Sequence, residues 1–130
     1  QMPGAWALQG FAMFSVIEKS SGRWIGQAGP WRPDGWPGTE VGYAFHQDAH
    51  GRGYCTEACV AAIDWAFGTL GWTEVIHCIS PENTASQRVA QRLGSRNRGP
   101  GRLPPPLDAH AVDIWGQSAA EWRSREAVRA

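Results

Sequence analysis

"FHQDAHGRGYCTEA" (45–58) decides how this chain is read. It joins the apolar stretch "EVGYAF" (40–45) to a long alanine-rich stretch beginning at Tyr54, and places Gly51 and Gly53 on either side of Arg52. Glycine loses more conformational freedom on folding than any other residue, so two in one strand-to-helix turn are costly unless something must approach the main chain closely. A helix that starts there exposes unpaired N–H groups at the positive end of its dipole, and the two together bind anions, above all phosphates. Arg52 would add charge. The turn alone is equally compatible with a tight connection that binds nothing, because G-x-G is a weak motif.

Working outward, "FAMFSVIEK" (11–19) and "RWIGQAG" (23–29), separated by "SSG", predict a hairpin. "PWRPDGWPGT" (30–39) is a proline- and glycine-broken loop, and 40–45 is a third strand. From Tyr54 to Leu70 the spacing of Cys55, Cys59, Ala62, Ala66 and Leu70 marks one helical face; Ile63, Trp65 and Phe67 widen it, and Gly71 suits the C-terminal cap. "EVIHCIS" (74–80) is apolar on both faces and predicts a central strand in which His77 is packed and hydrogen-bonded. "PENTASQRVAQRLG" predicts a second helix: Asn83 caps it, Thr84 and Gln87 have capping-box spacing, Gly94 stops it, and Ala85, Val89 and Leu93 form the inward stripe. "SRNRGPGRLPPPLD" (95–108) is a loop or broken edge strand, "AHAVDIWG" (109–116) a last strand and "SAAEWRSREAV" a terminal helix. The order β-β-β-α-β-α-(β)-β-α describes a mixed α/β sheet, antiparallel first and with a strand–helix–strand crossover after.

The totals narrow the function. A length of 130 residues fits one domain, and 42% hydrophobic with 18% charged residues fits a globular one. Formal net charge is zero, so neither nucleic acid nor an anionic membrane is an expected partner. The single lysine, Lys19, excludes a Walker-type phosphate loop and a Schiff-base lysine in the helical half. Three cysteines, Cys55, Cys59 and Cys78, are no disulfide framework; with no secretory signal or membrane-length apolar run, a cytoplasmic location is expected. Cys55 with Cys59 and His46 with His50 share i, i+4 spacing, but no metal-binding pattern accompanies them and no metal is expected. The eight tryptophans suit core and interface packing. Trp31 and Trp36, in the proline-rich loop, point to a partner surface such as that of a homodimer.

Taken together, "HGRGYCTEA", the "EVGYAF" and "EVIHCIS" strands and the "PENTASQRVAQRLG" helix resemble the GNAT superfamily of acetyl-CoA-dependent N-acetyltransferases. Within it they resemble the branch that acetylates the N-termini of ribosomal proteins. The family's phosphate loop reads Gln/Arg-x-x-Gly-x-Gly/Ala. Here the window is "HGRGYC": Gly53 holds the central place, His50 replaces Gln or Arg, and Cys55 the last small residue. The resemblance spans about residues 11 to 125 and implies a GNAT-like fold, antiparallel strands followed by a β-α-β-α unit around a central splayed sheet. Family members begin with a further strand and two helices, so residues 1–130 resemble a shortened domain. The resemblance implies acetyl-CoA as co-substrate, with main-chain groups of Tyr43, Ala44 and Phe45 pairing with the pantetheine arm like an added strand. Amides from Gly51 through Arg52, Gly53, Tyr54 and Cys55 to Thr56 would hold the pyrophosphate, with His50 at the head of the loop. Asn83 would hydrogen-bond the cofactor near its reactive end, and Ser86 would lie near the thiol. Unlike Gln or Arg, His50 would titrate near pH ~6.5.

Acetyl transfer to an amine requires a neutral nucleophile, a stabilised oxyanion and a proton for the departing thiolate. An α-amine with pKa ~8 is partly neutral at pH ~7, whereas a lysine amine near ~10.4 is mostly charged. Glu40, where the third strand enters the site, is the candidate base, or else a solvent-facing carboxylate at a strand end. The amide of Phe45 or a neighbour can polarise the thioester carbonyl. Ser86 is the candidate acid, since the only tyrosines are Tyr43 and Tyr54, or else completes the helix cap. Glu57, in a first helical turn, has a sufficient role in complementing the dipole. Arg88, Arg92, Arg96, Arg98 and Arg102 form a run without acids; one or two can reach the adenosine-side phosphate or an acidic acceptor, and the rest suit a solvated face. The expected activity is direct attack by an amine, from a protein N-terminus or a small molecule, on acetyl-CoA in a ternary complex. The alternative is a module of the same fold that binds coenzyme A or a partner without turnover.

Overall fold

A computed structural model of the chain describes residues 14–32, 35–45 and 53–129. Its elements are β1 (Phe14–Ile17), β2 (Trp24–Trp31), β3 (Glu40–Phe45), α1 (Tyr54–Gly68), β4 (Glu74–Ile79), α2 (Thr84–Leu93), β5 (Arg96–Gly101), β6 (Val112–Ser118) and α3 (Ala119–Arg129). Six strands form one mixed sheet in the order β1-β2-β3-β4-β6-β5. The predicted class and element order are those observed. The stretch 95–108, which its sequence allows as a loop or a broken edge strand, is an edge strand over its first half, with an irregular register between Asn97 and Pro100. The last strand starts three residues later than the sequence suggested.

β1, β2 and β3 pair antiparallel, as do β4 with β6 and β6 with β5. Between these two halves the ladder almost fails. β3 and β4 are parallel and share one pair, Glu40↔Ile76, where the Ile76 N–H donates to the Thr39 carbonyl at 2.9 Å. Beyond that pair the strands part toward Phe45 and Ile79. Side chains hold the wedge. His77 Nδ1 lies 2.8 Å from the Val41 carbonyl, which can only accept, so the proton is on Nδ1; Nε2 then accepts from Ser95 Oγ at 3.0 Å. Gln117 Nε2 donates to the same Ser95 Oγ (3.0 Å) and to the Leu93 carbonyl (2.9 Å).

α1 packs on the face of the sheet that carries Val41 and Val75. It buries Cys59, Ala62, Ile63, Ala66 and Phe67, the three- and four-residue spacing of one helical stripe. Burying a side chain such as Ile63 completely contributes about 2 kcal/mol. Leu93 and Trp122 complete this core, and the Trp122 indole N–H donates to Asp64 Oδ1 at 2.7 Å, fastening α3 to α1. α1 ends at Gly68, earlier than expected; Gly71 (φ +70°) makes the turn that lets the Trp72 N–H bond back to the Ala66 carbonyl at 3.1 Å.

α2 is capped by Asn83, whose Oδ1 accepts the Ser86 N–H at 3.1 Å, and stops at Gly94 (φ +91°). Two details differ from the sequence reading. Gln87 makes no capping box with Thr84; its amide donates back to the Pro81 carbonyl at 2.9 Å, because Asn83 already serves the first turn. The buried residues of α2 are Ala90 and Leu93, while Ala85 is exposed and Val89 half-buried, so the stripe is turned relative to expectation. Trp31 and Trp36 are both half-buried rather than exposed, since Trp31 closes β2 and Trp36 folds onto Glu40. Among the described residues, no helix is long and apolar enough to cross a membrane.

Candidate functional site

The wedge between β3 and β4 opens into a cleft of about 480 Å3. Its walls are the end of β3 (Tyr43, Ala44, Phe45), the first turn of α1 (Gly53, Tyr54, Cys55, Thr56) and one side of α2, from Asn83 to Arg92. Nine residues singled out in the sequence are thus brought together: Tyr43, Ala44, Phe45, Gly53, Tyr54, Cys55, Thr56, Asn83 and Ser86. His50, Gly51 and Arg52 lie outside the described residues.

The cleft joins two kinds of donor. At one end, α1 begins at Gly53 in the left-handed region (φ +78°), and among the described residues no side chain at the N-cap position bonds to the first turn. The Glu57 N–H already bonds to the Gly53 carbonyl at 3.0 Å, so the amides of the preceding turn are those a helix cannot satisfy itself. A Cβ at Gly53 would meet nothing within 4 Å, so glycine is required there by conformation and not by space. Amides so placed at a helix N-terminus can receive an anion, and Arg88 and Arg92 of α2 line the same cleft. Nothing in the sequence settled which members of the arginine run face it; the helical spacing of four between those two was the available signal.

Along the other wall runs the edge of β3. Main-chain groups alternate along a strand, and Thr39 and Val41 turn theirs toward β4. Tyr43 and Phe45 therefore aim theirs into the opening, whereas those of Ala44 point to its β2 neighbour, Gln27. Ala44 lines the cleft, but the pairing expected of its backbone is directed the other way. An extended chain of amides laid in this opening would find the β3 edge as an incomplete ladder.

Tyr43 also crosses the wedge. Its hydroxyl donates to the Ser86 carbonyl at 2.9 Å, a contact over 43 residues of sequence that no local pattern announces. Burial, followed by the neighbouring Cys59 and Cys55, pushes the Tyr43 phenol well above its ordinary range, so it stays protonated. A side-chain hydrogen bond with Ser86 acts the other way on the phenol, and keeps the Ser86 hydroxyl beside it. Hydrogen bonding to Cys55 and burial raise the Cys59 thiol, and burial raises Cys78. Both are therefore neutral packing groups.

Glu40 stands apart. It is 7% exposed, and its side chain lies on the sheet face opposite α1, because neighbouring Val41 faces the helix core. One carboxylate oxygen accepts the Trp36 indole N–H at 2.6 Å, the other the Cys78 N–H at 2.7 Å. Burial raises its pKa; these two donors act in the opposite direction without cancelling it. The solvent-facing alternative for this residue is thereby excluded. It sits at the closed end of the wedge, outside the cleft lining.

The family model described as an acetyltransferase (GNAT) domain matches residues 1–96. The chain is 32% identical over 87 residues to the uncharacterized protein YkkB of Bacillus subtilis (strain 168), covering 65% of this chain and 51% of that one. It thus spans about half the length of that relative. Among solved structures, it is similar to an acetyltransferase from Agrobacterium tumefaciens str. C58, with a TM-score of 0.73 and 31% identity over 88% of this chain and 64% of that one. The aminoglycoside acetyltransferase AAC(6')-Ib in complex with coenzyme A shares the fold, with a TM-score of 0.74 at 19% identity over 95% of this chain and 75% of that one. By the match of its sequence to the domain model, and with the parted strands of its fold in accord, the chain belongs to the GNAT family of acetyltransferases.

Proposed function

We propose that this domain takes acetyl-CoA into the wedge and transfers its acetyl group to a primary amine. The observation that carries the reading is the cleft itself, which the N-terminus of α1 and the end of β3 line together. The α1 amides from Gly53 to Thr56, extended by Gly51, Arg52 and His50, hold the pyrophosphate; Arg88 or Arg92 neutralises the phosphate on the adenosine side. The main chain at Tyr43 pairs with the pantetheine amides. The Asn83 amide nitrogen, unpartnered among the described residues, serves the inner end of the arm.

The bound thioester supplies an activated acyl carbon. The amine approaches from the opposite sheet face, where Glu40, with its raised pKa, takes the proton directly or through one water. Of Phe45 and its neighbours, the Tyr43 amide, nearer the β3–β4 pair, polarises the carbonyl. As the C–N bond forms and the C–S bond breaks, Ser86 Oγ delivers a proton to the sulfur. The acceptor is an α-amine of a protein or a small molecule, since a group with pKa ~8 needs only a weak base. A second reading, coenzyme binding without turnover, is favoured by one fact: both Glu40 oxygens are already hydrogen-bonded.

Thermal shift with acetyl-CoA, NAD and ATP tests the coenzyme. Acetyl-CoA alone should raise the melting temperature, because it binds only the native state. Thiol release with a panel of amines and N-terminal peptides then separates the two readings. Stabilisation by acetyl-CoA with no acceptor ever releasing thiol would leave the binding module standing and remove the enzyme.

A further inference from the structure

We propose that Tyr43, backed by His77, is a fixed stop at the inner end of the cleft that restricts the acyl group to a short one. This rests on the coenzyme reading above. If the phosphates sit at Gly53–Thr56, the thioester lies at the other end, toward the pair that joins β3 to β4. Along β3, the cleft-lining residue nearest that junction is Tyr43.

The ring is held at both ends. It leaves β3 on the helix side, packs against the main core, and its hydroxyl is bonded across the wedge to the Ser86 carbonyl at 2.9 Å. Behind it stands His77, with ring centroids 5.9 Å apart and planes inclined by 58°. His77 is itself tied to Val41 on β3 and through Ser95 to Gln117 on β6. Every member of the wall is therefore braced on a different element. Such a wall cannot yield by a rotamer change the way loosely packed apolar side chains do, and forcing extra methylenes against a close-packed site displaces several groups at once. A loosely lined end would tolerate longer chains; this one discriminates by acyl length.

The test is the dissociation constant of coenzyme A and its acetyl, butyryl and hexanoyl thioesters, measured by calorimetry on wild type, Tyr43→Phe and Tyr43→Leu. Thermal melting checks that each variant is folded. Wild type should bind butyryl-CoA at least about tenfold more weakly than acetyl-CoA, the scale on which a site resolves added methylenes. Tyr43→Leu should lose most of that discrimination, and Tyr43→Phe, which keeps the ring without its anchor, should fall between. A wild type that binds the hexanoyl and acetyl thioesters alike overturns the stop, whether or not the leucine variant folds. So does a leucine variant that binds coenzyme with the wild-type ratio. A wild type with no affinity for any of the four overturns the coenzyme reading and the stop with it.

Discussion

Acidification should weaken this protein through His77, by an amount its surroundings set. The imidazole is 1% exposed, and burial lowers its pKa from 6.5 to about 4, with the Val41 carbonyl acting the other way. The unfolded chain thus takes up a proton near pH 6.5 that the folded chain refuses until near pH 4. Inside that window the unfolded state binds more protons, so stability falls as pH falls. At about 1.4 kcal/mol per pH unit, the loss is about 3 kcal/mol, absent above about pH 7 and complete near pH 4. Glu40 works oppositely, since its raised pKa penalises the folded state as pH rises above 4.5. Urea unfolding of wild type and His77→Gln, at pH values from about 7.5 down to about 4, cancels Glu40 and the surface carboxylates, which both proteins share. The glutamine amide can still donate to Val41. Wild-type stability minus that of the variant should drop by about 3 kcal/mol across the series. A difference that is flat in pH, or that grows on acidification, would refute a buried neutral imidazole at this position.

Three further outcomes are expected. Gly53→Glu should abolish acetyl-CoA binding in calorimetry while the far-UV spectrum stays native. The site is open, but a side chain at φ +78° costs about 1 kcal/mol and a carboxylate there repels phosphate. Glu40→Gln should leave the coenzyme dissociation constant within about twofold and lower kcat by about a hundredfold or more; an unchanged kcat removes it as the base. Trp122→Phe, which strands Asp64 and shrinks a core residue, should lower stability by about 1–3 kcal/mol in urea unfolding, and no loss would mean that α3 is not fastened by that contact.

What could be read from the sequence is what local chemistry dictates. The α2 boundaries were legible because Asn83 and Gly94 act within their own turn, and the start of α1 because glycine at positive φ stands where the helix begins. What escaped depends on partners far along the chain. Whether Ala85 and Val89 face the core or the cleft is decided by how α2 is rotated on the sheet, which periodicity alone leaves open. The direction of the Ala44 backbone follows from which strand lies on which side of β3. The setting of Glu40 required Trp36 and the Cys78 amide, the latter 38 residues away. The Tyr43–Ser86 bond is of the same kind: two polar groups, each unremarkable in its own segment, meet only because the sheet divides.

A sheet that is nearly severed along its middle has a mechanical consequence. Its two halves are joined by a single rung, with Val41–His77, Glu40–Cys78 and Thr39–Glu74 acting as struts beside it, while Tyr43–Ser86 ties β3 to α2. Shortening or lengthening a strut would change how far the halves gape without touching the turn that grips the phosphates. Aperture and grip are separately adjustable in this architecture, so a designer could retune one and inherit the other.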